Sequence, residues 1–424
     1  MNKKNMIGIT IVIIILACFF VFRNNRDDAN TIVIWAHSYL ADAAEKAVEI
    51  YLRENPGTIY DFEVVRLGQD DLRKKIQIGL STGSLANLPD IFFDEDYNFM
   101  QYIHFYGEHF ADLTDYINKE DFYDFKIKNA TYNDRIFAVP YDCGVGVLFY
   151  RTDLIEQAGF TDEDMQNLTW ERYIEIGQEV KRVTGVDMLT LLPRGNMEGR
   201  LLYRSANTWF FDENGNANIA NNQAFIDSIQ TLKKLYESNI VYMSSSWDDM
   251  INAISNEKVA SHIGASWWAP IIQGFEDQAG LWNVAIMPRM TGSDDYINNA
   301  NLGGGSWFVL NRANSAVAID FVISTFATSQ ELADYVVGIS SYVPTNKNFA
   351  RNLTESPNEF FNNQKLTTIF TEFAQNIHPV RYGLHANETN AAIGPIMVDF
   401  LNGNITLDNA LSLMQSAAER ISAD

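Results

Sequence analysis

A carboxylate cluster and a glycine run carry the chemistry most open to reading in this chain. Asp94, Glu95 and Asp96 follow the apolar stretch LPDIFF (88–93). Two such carboxylates can cleave a glycosidic bond, one as acid and the other as base or nucleophile. They serve equally as acceptors for sugar hydroxyls, and an acidic loop is also an ordinary solvated turn. In NNANLGGGSWFVLN (298–311), the glycines before Trp307 fit a phosphate cradle, a close approach of backbone to ligand with Trp307 as a stacking face, or a tight turn into a buried strand. A phosphate loop leads into a helix N-terminus and carries a lysine. Here the glycines lead into the strand-type run WFVL and no lysine follows, which favours close approach, since glycine has no Cβ. HFYGEH (104–109) resembles an HxxEH zinc helix, but it has one residue too many between His104 and Glu108, and helical spacing then misaligns the ligands. Ser306 lacks the glycine-flanked elbow of a nucleophilic serine. No nucleotide fingerprint follows the first strand, and no cofactor is implied.

The elements that must position these groups alternate. TIVIWA (31–36) reads as a buried strand, followed by a helix with Leu40, Ala44, Ala47, Val48, Tyr51 and Leu52 on one face, stopped by Pro56 and Gly57. FEVVRL (62–67) and LPDIFFD (88–94) repeat the strand pattern around a second helix, which points to a parallel sheet with covered faces. RIFAVPY (135–141) and GVGVLFYR (144–151) precede a helix-rich region. There Thr169 is placed as an N-cap and Gly185 as a helix end. Strand patterns return at 258–266, 282–288 and 306–311 before the chain closes in helices. A chain that goes from strand-rich to helix-rich and back crosses more than once between two α/β lobes.

At 424 residues, 47% of them apolar, the chain can build more than one core. Its net charge of −23 repels nucleic acid and anionic lipid and favours a neutral or cationic ligand. MNKKN followed by the uncharged run Met6–Phe22 reads as an export signal or a membrane anchor. ILAC, ending at Cys18, resembles the lipobox of bacterial lipoproteins, with Leu16 where a small residue is usual and FFVF prolonging the apolar run. A lipid anchor at Cys18 and an uncleaved helix both place the body outside the cytoplasm. Beyond the leader, Cys143 stands alone, so no internal disulfide or cysteine-rich zinc site can form.

The segment RIFAVPYDCGVGVLFYRTDLIEQAGF (135–160) resembles the signature of the family 1 extracellular solute-binding proteins of ABC importers. TIVIWAHSY, NLPDIFFDEDYNF, TWERYIEIGQEV, GASWWAP, GGGSWFVLN, ATSQELADYVVG and YVPTN match in family order. LGGGSW and VRYGL look most like the lactose and arabino-oligosaccharide members. The DEDYNF loop has no tryptophan where some maltose-type members carry one. The resemblance implies a two-lobed, type II periplasmic-binding-protein-like α/β fold, with hinge crossings and a ligand cleft between the lobes. The expected layout is a leader and tether over 1–30, a first lobe of 31–141 plus 283–343, and a second of 142–282 plus 344–424. It implies a monomeric carbohydrate receptor, not an enzyme, that hands an oligosaccharide to permease subunits and binds no metal or nucleic acid. Expected ligand contacts are His37, Ser38, Tyr39, Asp94, Glu95, Tyr141, Asp142, Trp209, Trp267, Trp268, Gly304, Gly305, Ser306, Trp307, Arg381 and Tyr382. Sugars stack apolar C–H faces on aromatic rings and exchange hydrogen bonds with carboxylates and arginine. The alternatives are the same fold binding a polyol, sugar phosphate or peptide or acting as a sensor, and a glycan-cleaving enzyme using Asp94 and Glu95.

Overall fold

The computed structural model describes residues 30–192, 197–340 and 342–422. Cys18 and the leader segment lie outside the described residues, among which no helix is long and apolar enough to cross a membrane. The strands, in chain order, are β1 Thr31–Ala36, β2 Asp61–Arg66, β3 Ile91–Glu95, β4 Thr131–Tyr132, β5 Arg135–Ile136, β6 Ala138–Pro140, β7 Gly146–Arg151, β8 Leu189–Leu191, β9 Val241–Met243, β10 Ser261–Ala265, β11 Trp282–Ile286 and β12 Gly305–Val309.

The first sheet runs β2-β1-β3-β12-β6. β1 is parallel to both β2 and β3, as expected of strands separated by helices. β12 lies antiparallel between β3 and β6. β1, β3 and β12 are buried along nearly their whole length, because helices such as Ser38–Glu54 and Ser315–Val322 cover the sheet. The second sheet, β10-β7-β11, is antiparallel and belongs to the other lobe. Its cores draw on helices Trp170–Thr184, Met197–Ser205, Gln223–Glu237, Leu366–Ala374, Ala386–Leu401 and Leu407–Ser422. Thr169 caps the first of these by accepting from the Arg172 amide, and Gly185 ends it at φ 76°.

The lobe boundaries differ from the expected ones. β11 pairs with β7, so the chain stays with the second sheet through Ile286, although residue 283 was expected to open the return to the first lobe. The return comes at 300–305, where Gly146 N donates to Ala300 O and Leu302 N to Gly144 O, at 2.8 and 2.7 Å. Phe349, beyond the expected end of the first lobe at 343, packs in the first core. A third crossing is tied to the first by the bridge of Asp142 with Pro344 and by Thr345 N donating to Tyr141 O at 3.2 Å. These crossings put the C-terminal end of β3 and the start of β12 at the floor of the space between the lobes.

Candidate functional site

That space is a cleft of about 550 Å³. The first lobe lines it with His37, Tyr39, Gln69, Phe93 and Glu95, and the second with Leu192, Met197, Arg200, Trp247 and Trp267. Asp142, Leu302, Gly303 and Gly304, from the crossings, form its floor. Each wall has a simple origin. His37 and Tyr39 stand where β1 gives way to a helix, and Glu95 ends β3, so both project past the sheet's C-terminal edge. Trp267 sits in the turn after β10, and Trp247 opens the helix Trp247–Ser255.

The polar side is held by neighbours. Glu95 Oε2 accepts from Arg73 Nη2 at 2.9 Å. Burial pushes the Glu95 carboxyl up, and Arg73 opposes that shift. Asp142 accepts from the Tyr39 hydroxyl on one oxygen and from Gly305 N, at 2.7 Å, on the other. Burial pushes its carboxyl up too, with Lys126 pulling it down. His37 is driven down to about 4, first by burial and then by Arg73, so it is neutral at pH 7. Its Nε2 is buried and has no partner among the described residues, although the ring lines the cleft.

The apolar side is aromatic. Trp247 is 39% exposed and Trp267 half-buried, with ring centroids 5.9 Å apart, and both pack on the fully buried Trp268. The Trp267 indole N–H donates to Leu302 O at 3.0 Å, which fixes the ring against the floor. At one end of the cleft the lobes touch. Tyr97 stacks on Tyr382 at 4.2 Å, and the Arg200 guanidinium lies 4.5 Å from the Tyr97 ring while Nε donates to its hydroxyl at 2.8 Å.

Of the residues expected to touch a ligand, His37, Tyr39, Glu95, Asp142, Trp267 and Gly304 come together in this cleft. Ser38 is exposed beside it, in the left-handed region at φ 46°. Asp94 is buried and turned away, accepting from Glu95 N, Asn98 Nδ2 and the Tyr102 hydroxyl at 2.8, 2.8 and 2.6 Å. It therefore forms no accessible catalytic pair with Glu95. Tyr141, Trp209 and Trp268 are core side chains. Ser306 is buried and donates to Asp96 Oδ1 at 2.8 Å. Trp307, expected as a stacking face, is wholly buried in the first lobe, stacked on Phe326 with centroids 4.1 Å apart. Its place in β12 points the ring into the sheet's core rather than into the cleft. Tyr382 is buried in the interlobe contact, and Arg381 is exposed and donates to Glu213 O at 2.7 Å, in a separate groove.

The glycines have a different partner from the expected one. A Cβ on Gly304 would meet Cys143 Cα at 2.5 Å, and one on Gly305 would meet Asp94 O at 2.2 Å. What they let approach is the protein's own neighbouring backbone, and only Gly303 and Gly304 border the cleft. Sequence reasoning passed over Gln69, Met197, Arg200 and Trp247. The usable signal for Trp247 was a large aromatic directly after an N-capping serine, Ser246, in an exposed turn. Among the described residues no group of three or more His, Cys, Asp or Glu is placed to hold a metal, and His104 instead meets the Tyr132 hydroxyl at 2.8 Å.

The comparisons with known proteins agree with this architecture. The chain is 33% identical over 368 residues to a lactose-binding protein of Rhizobium radiobacter, covering 86% of each sequence. It is 22% identical over 313 residues to an arabinooligosaccharide-binding protein of Halalkalibacterium halodurans, covering 71% of this chain and 68% of that one. Among solved structures, the GacH receptor of Streptomyces glaucescens, determined unliganded and with acarbose, superposes with a TM-score of 0.76 at 18% identity, over 93% of this chain and 98% of that one. That likeness establishes the two-lobed binding-protein fold. A family profile described as bacterial extracellular solute-binding protein matches residues 46–368. With that span matched and a relative so similar over nearly its full length, the chain belongs to the bacterial extracellular solute-binding proteins.

Proposed function

We propose that this protein is the carbohydrate receptor of an ABC importer, taking an oligosaccharide into the cleft and presenting it, lobes closed, to the membrane subunits. The observation that carries this reading is the pairing of the two walls. Trp247 and Trp267 on one lobe offer flat apolar faces, and Tyr39, Glu95 and Asp142 on the other side and floor offer hydroxyl partners. A sugar has both surfaces, with C–H faces that stack on indole and a rim of hydroxyls. The relatives named for lactose and arabino-oligosaccharides support the same substrate class. The proposed contacts are His37, Tyr39, Glu95, Asp142, Trp267 and Gly304, joined by Gln69, Arg200 and Trp247.

The receptor works as a monomer, held at the outer face of the cytoplasmic membrane by a lipid on Cys18 or by an uncleaved leader helix. Fractionation of cells expressing Cys18→Ala separates the two, since a lipid-free variant that stays membrane-bound identifies the helix. Calorimetric titration against lactose, arabino-oligosaccharides and malto-oligosaccharides tests the substrate class, and a panel with no binding member overturns it. Contacts from both walls to one ligand exist only when the lobes are together, so small-angle scattering should show a smaller radius of gyration at saturation. An unchanged radius removes closure from the mechanism.

A further inference from the structure

Beneath the cleft floor lies a cation that no solute can touch. Lys126, in the short helix Asp124–Asn129, has a side chain that is 0% exposed. Its Nζ donates to Asp96 Oδ2 at 2.6 Å and to Gly305 O at 3.0 Å. The same Gly305 carbonyl accepts from the backbone N–H groups of Tyr141 and Asp142, at 3.2 and 3.3 Å. The Gly305 N–H, as the floor geometry showed, holds Asp142 Oδ1. Lys126 thus reaches the cleft carboxylate through a single residue of the hinge. Asp96, its ion-pair partner, opens the turn Asp96–Asn98, whose Tyr97 makes the stacking contact to the other lobe. A buried ion pair is a poor way to gain stability, because desolvating both charges offsets most of their attraction. This pair sits where the cleft carboxylate, a hinge crossing and the interlobe contact meet.

We propose that Lys126 is a positioning residue for the solute site: it clamps the carbonyl of Gly305, the residue whose N–H orients Asp142. The inference rests on the cleft being the solute site. The titratable and charged groups that act on Asp142 or respond to it are Lys126, Asp96, Glu95, Tyr39, Tyr141, Tyr342 and Cys143. Of these only Lys126 is a cation. Burial raises the Asp142 carboxyl and Lys126 opposes it, so Lys126→Met lets the carboxyl rise further. Solute binding that needs the ionised carboxylate then fails at a higher pH as the solution is acidified.

The test uses the full chain with lactose and the arabino-oligosaccharides as probes, and compares wild type, Lys126→Met and Lys126→Met/Asp96→Asn. The double variant removes both members of the Lys126–Asp96 ion pair, so neither is left without its partner. Above the acid limb, both variants should bind about tenfold or more weakly, the scale of losing a charge-assisted hydrogen bond. The acid limb of Lys126→Met should lie at higher pH than that of wild type. In ligand-free protein, the amides of Gly305 and residues 141–143 should exchange with solvent about tenfold faster in both variants, with β1 and β2 unchanged. A folded double variant with wild-type affinity and wild-type Gly305 protection overturns the proposal. If wild type binds none of the sugars, the carbohydrate reading falls and exchange alone decides: selective loss of protection at Gly305 sustains the role of Lys126, and unchanged protection overturns it.

Discussion

Replacing Trp307 by alanine should damage stability and spare binding. The indole is 0% exposed, stacked on Phe326 at 4.1 Å with an 11° interplanar angle, and edge-on to Phe93 and Tyr141 at 5.4 and 5.9 Å. Truncating a buried tryptophan to alanine costs about 3–5 kcal/mol, and each good ring pair is worth about 0.5–1.5 kcal/mol of that kind of loss. One contribution runs the other way. The indole N–H has no partner among the described residues, so deleting it removes an unsatisfied donor and returns about 1 kcal/mol. The net expectation is a loss of about 2–4 kcal/mol, which lowers Tm by roughly 5–15 °C. Urea denaturation followed by circular dichroism measures the first quantity, and lactose calorimetry on the same samples, kept well below Tm, measures affinity. Binding should stay within about twofold of wild type, a difference of about 0.4 kcal/mol. A Trp307→Ala protein that melts like wild type but has lost its sugar would refute the reasoning, because the ring would then have been facing the ligand.

Trp267→Ala should show the opposite pattern. Affinity should fall by about 1–3 kcal/mol, the scale of an aromatic contact at a binding site, with little change in Tm; equal affinity would remove Trp267 from the platform. Gly305→Ala places a Cβ 2.2 Å from Asp94 O, so it should cost about 1–3 kcal/mol of stability, read as a lower urea midpoint, and an unshifted midpoint would show that the strands can part. Burial lifts Glu198 from 4.5 to about 7. Its folded-state pKa is raised, so between those values the native state holds a proton that the unfolded chain has released. Stability present at lower pH is therefore lost as pH rises through that window, by on the order of 3 kcal/mol. Glu198→Gln should flatten the unfolding free energy across it, and a variant with the wild-type slope assigns the dependence elsewhere.

The fold was legible because its strong signals are local. β1, β3 and the helix Ser38–Glu54 follow from apolar runs and helical spacing, and Thr169 and Gly185 bound a helix as their types dictate. The crossings were harder. β11 is a buried run like any other, and nothing in WNVAI says that its partner is β7 rather than a strand of the first sheet. The site was legible where a residue ends a strand or follows it within two positions, as Glu95, His37 and Asp142 do. It was not legible where two adjacent residues take opposite roles. Trp267 and Trp268 are identical neighbours, yet one turns to the cleft and the other to the core. Strand β10 before them is buried at every position, so no alternation marks a face. Arg200 and Trp247 sit on amphipathic helices, whose periodicity marks the core-facing stripe and says nothing about which end meets the other lobe.

The position of β12 has a consequence for how the protein is made. It is an inner strand of the first sheet, between β3 and β6, yet it lies far along the chain, after the whole of the second sheet. A ribosome emitting the chain from its N-terminus releases β1, β2, β3 and β6 with a gap between them that only residues 305–309 can fill. The second lobe is no better placed, since its cores wait for helices Leu366–Ala374, Ala386–Leu401 and Leu407–Ser422. Neither lobe can be finished as an early, self-contained product, and pairings this distant in sequence form slowly. The nascent chain therefore stays open until synthesis is nearly over, with the edges of β3 and β6 that β12 will fill left unpaired, a substrate for a holding chaperone. Truncated chains ending before residue 305 should be captured by such a chaperone and digested readily, and chains ending after 422 should not.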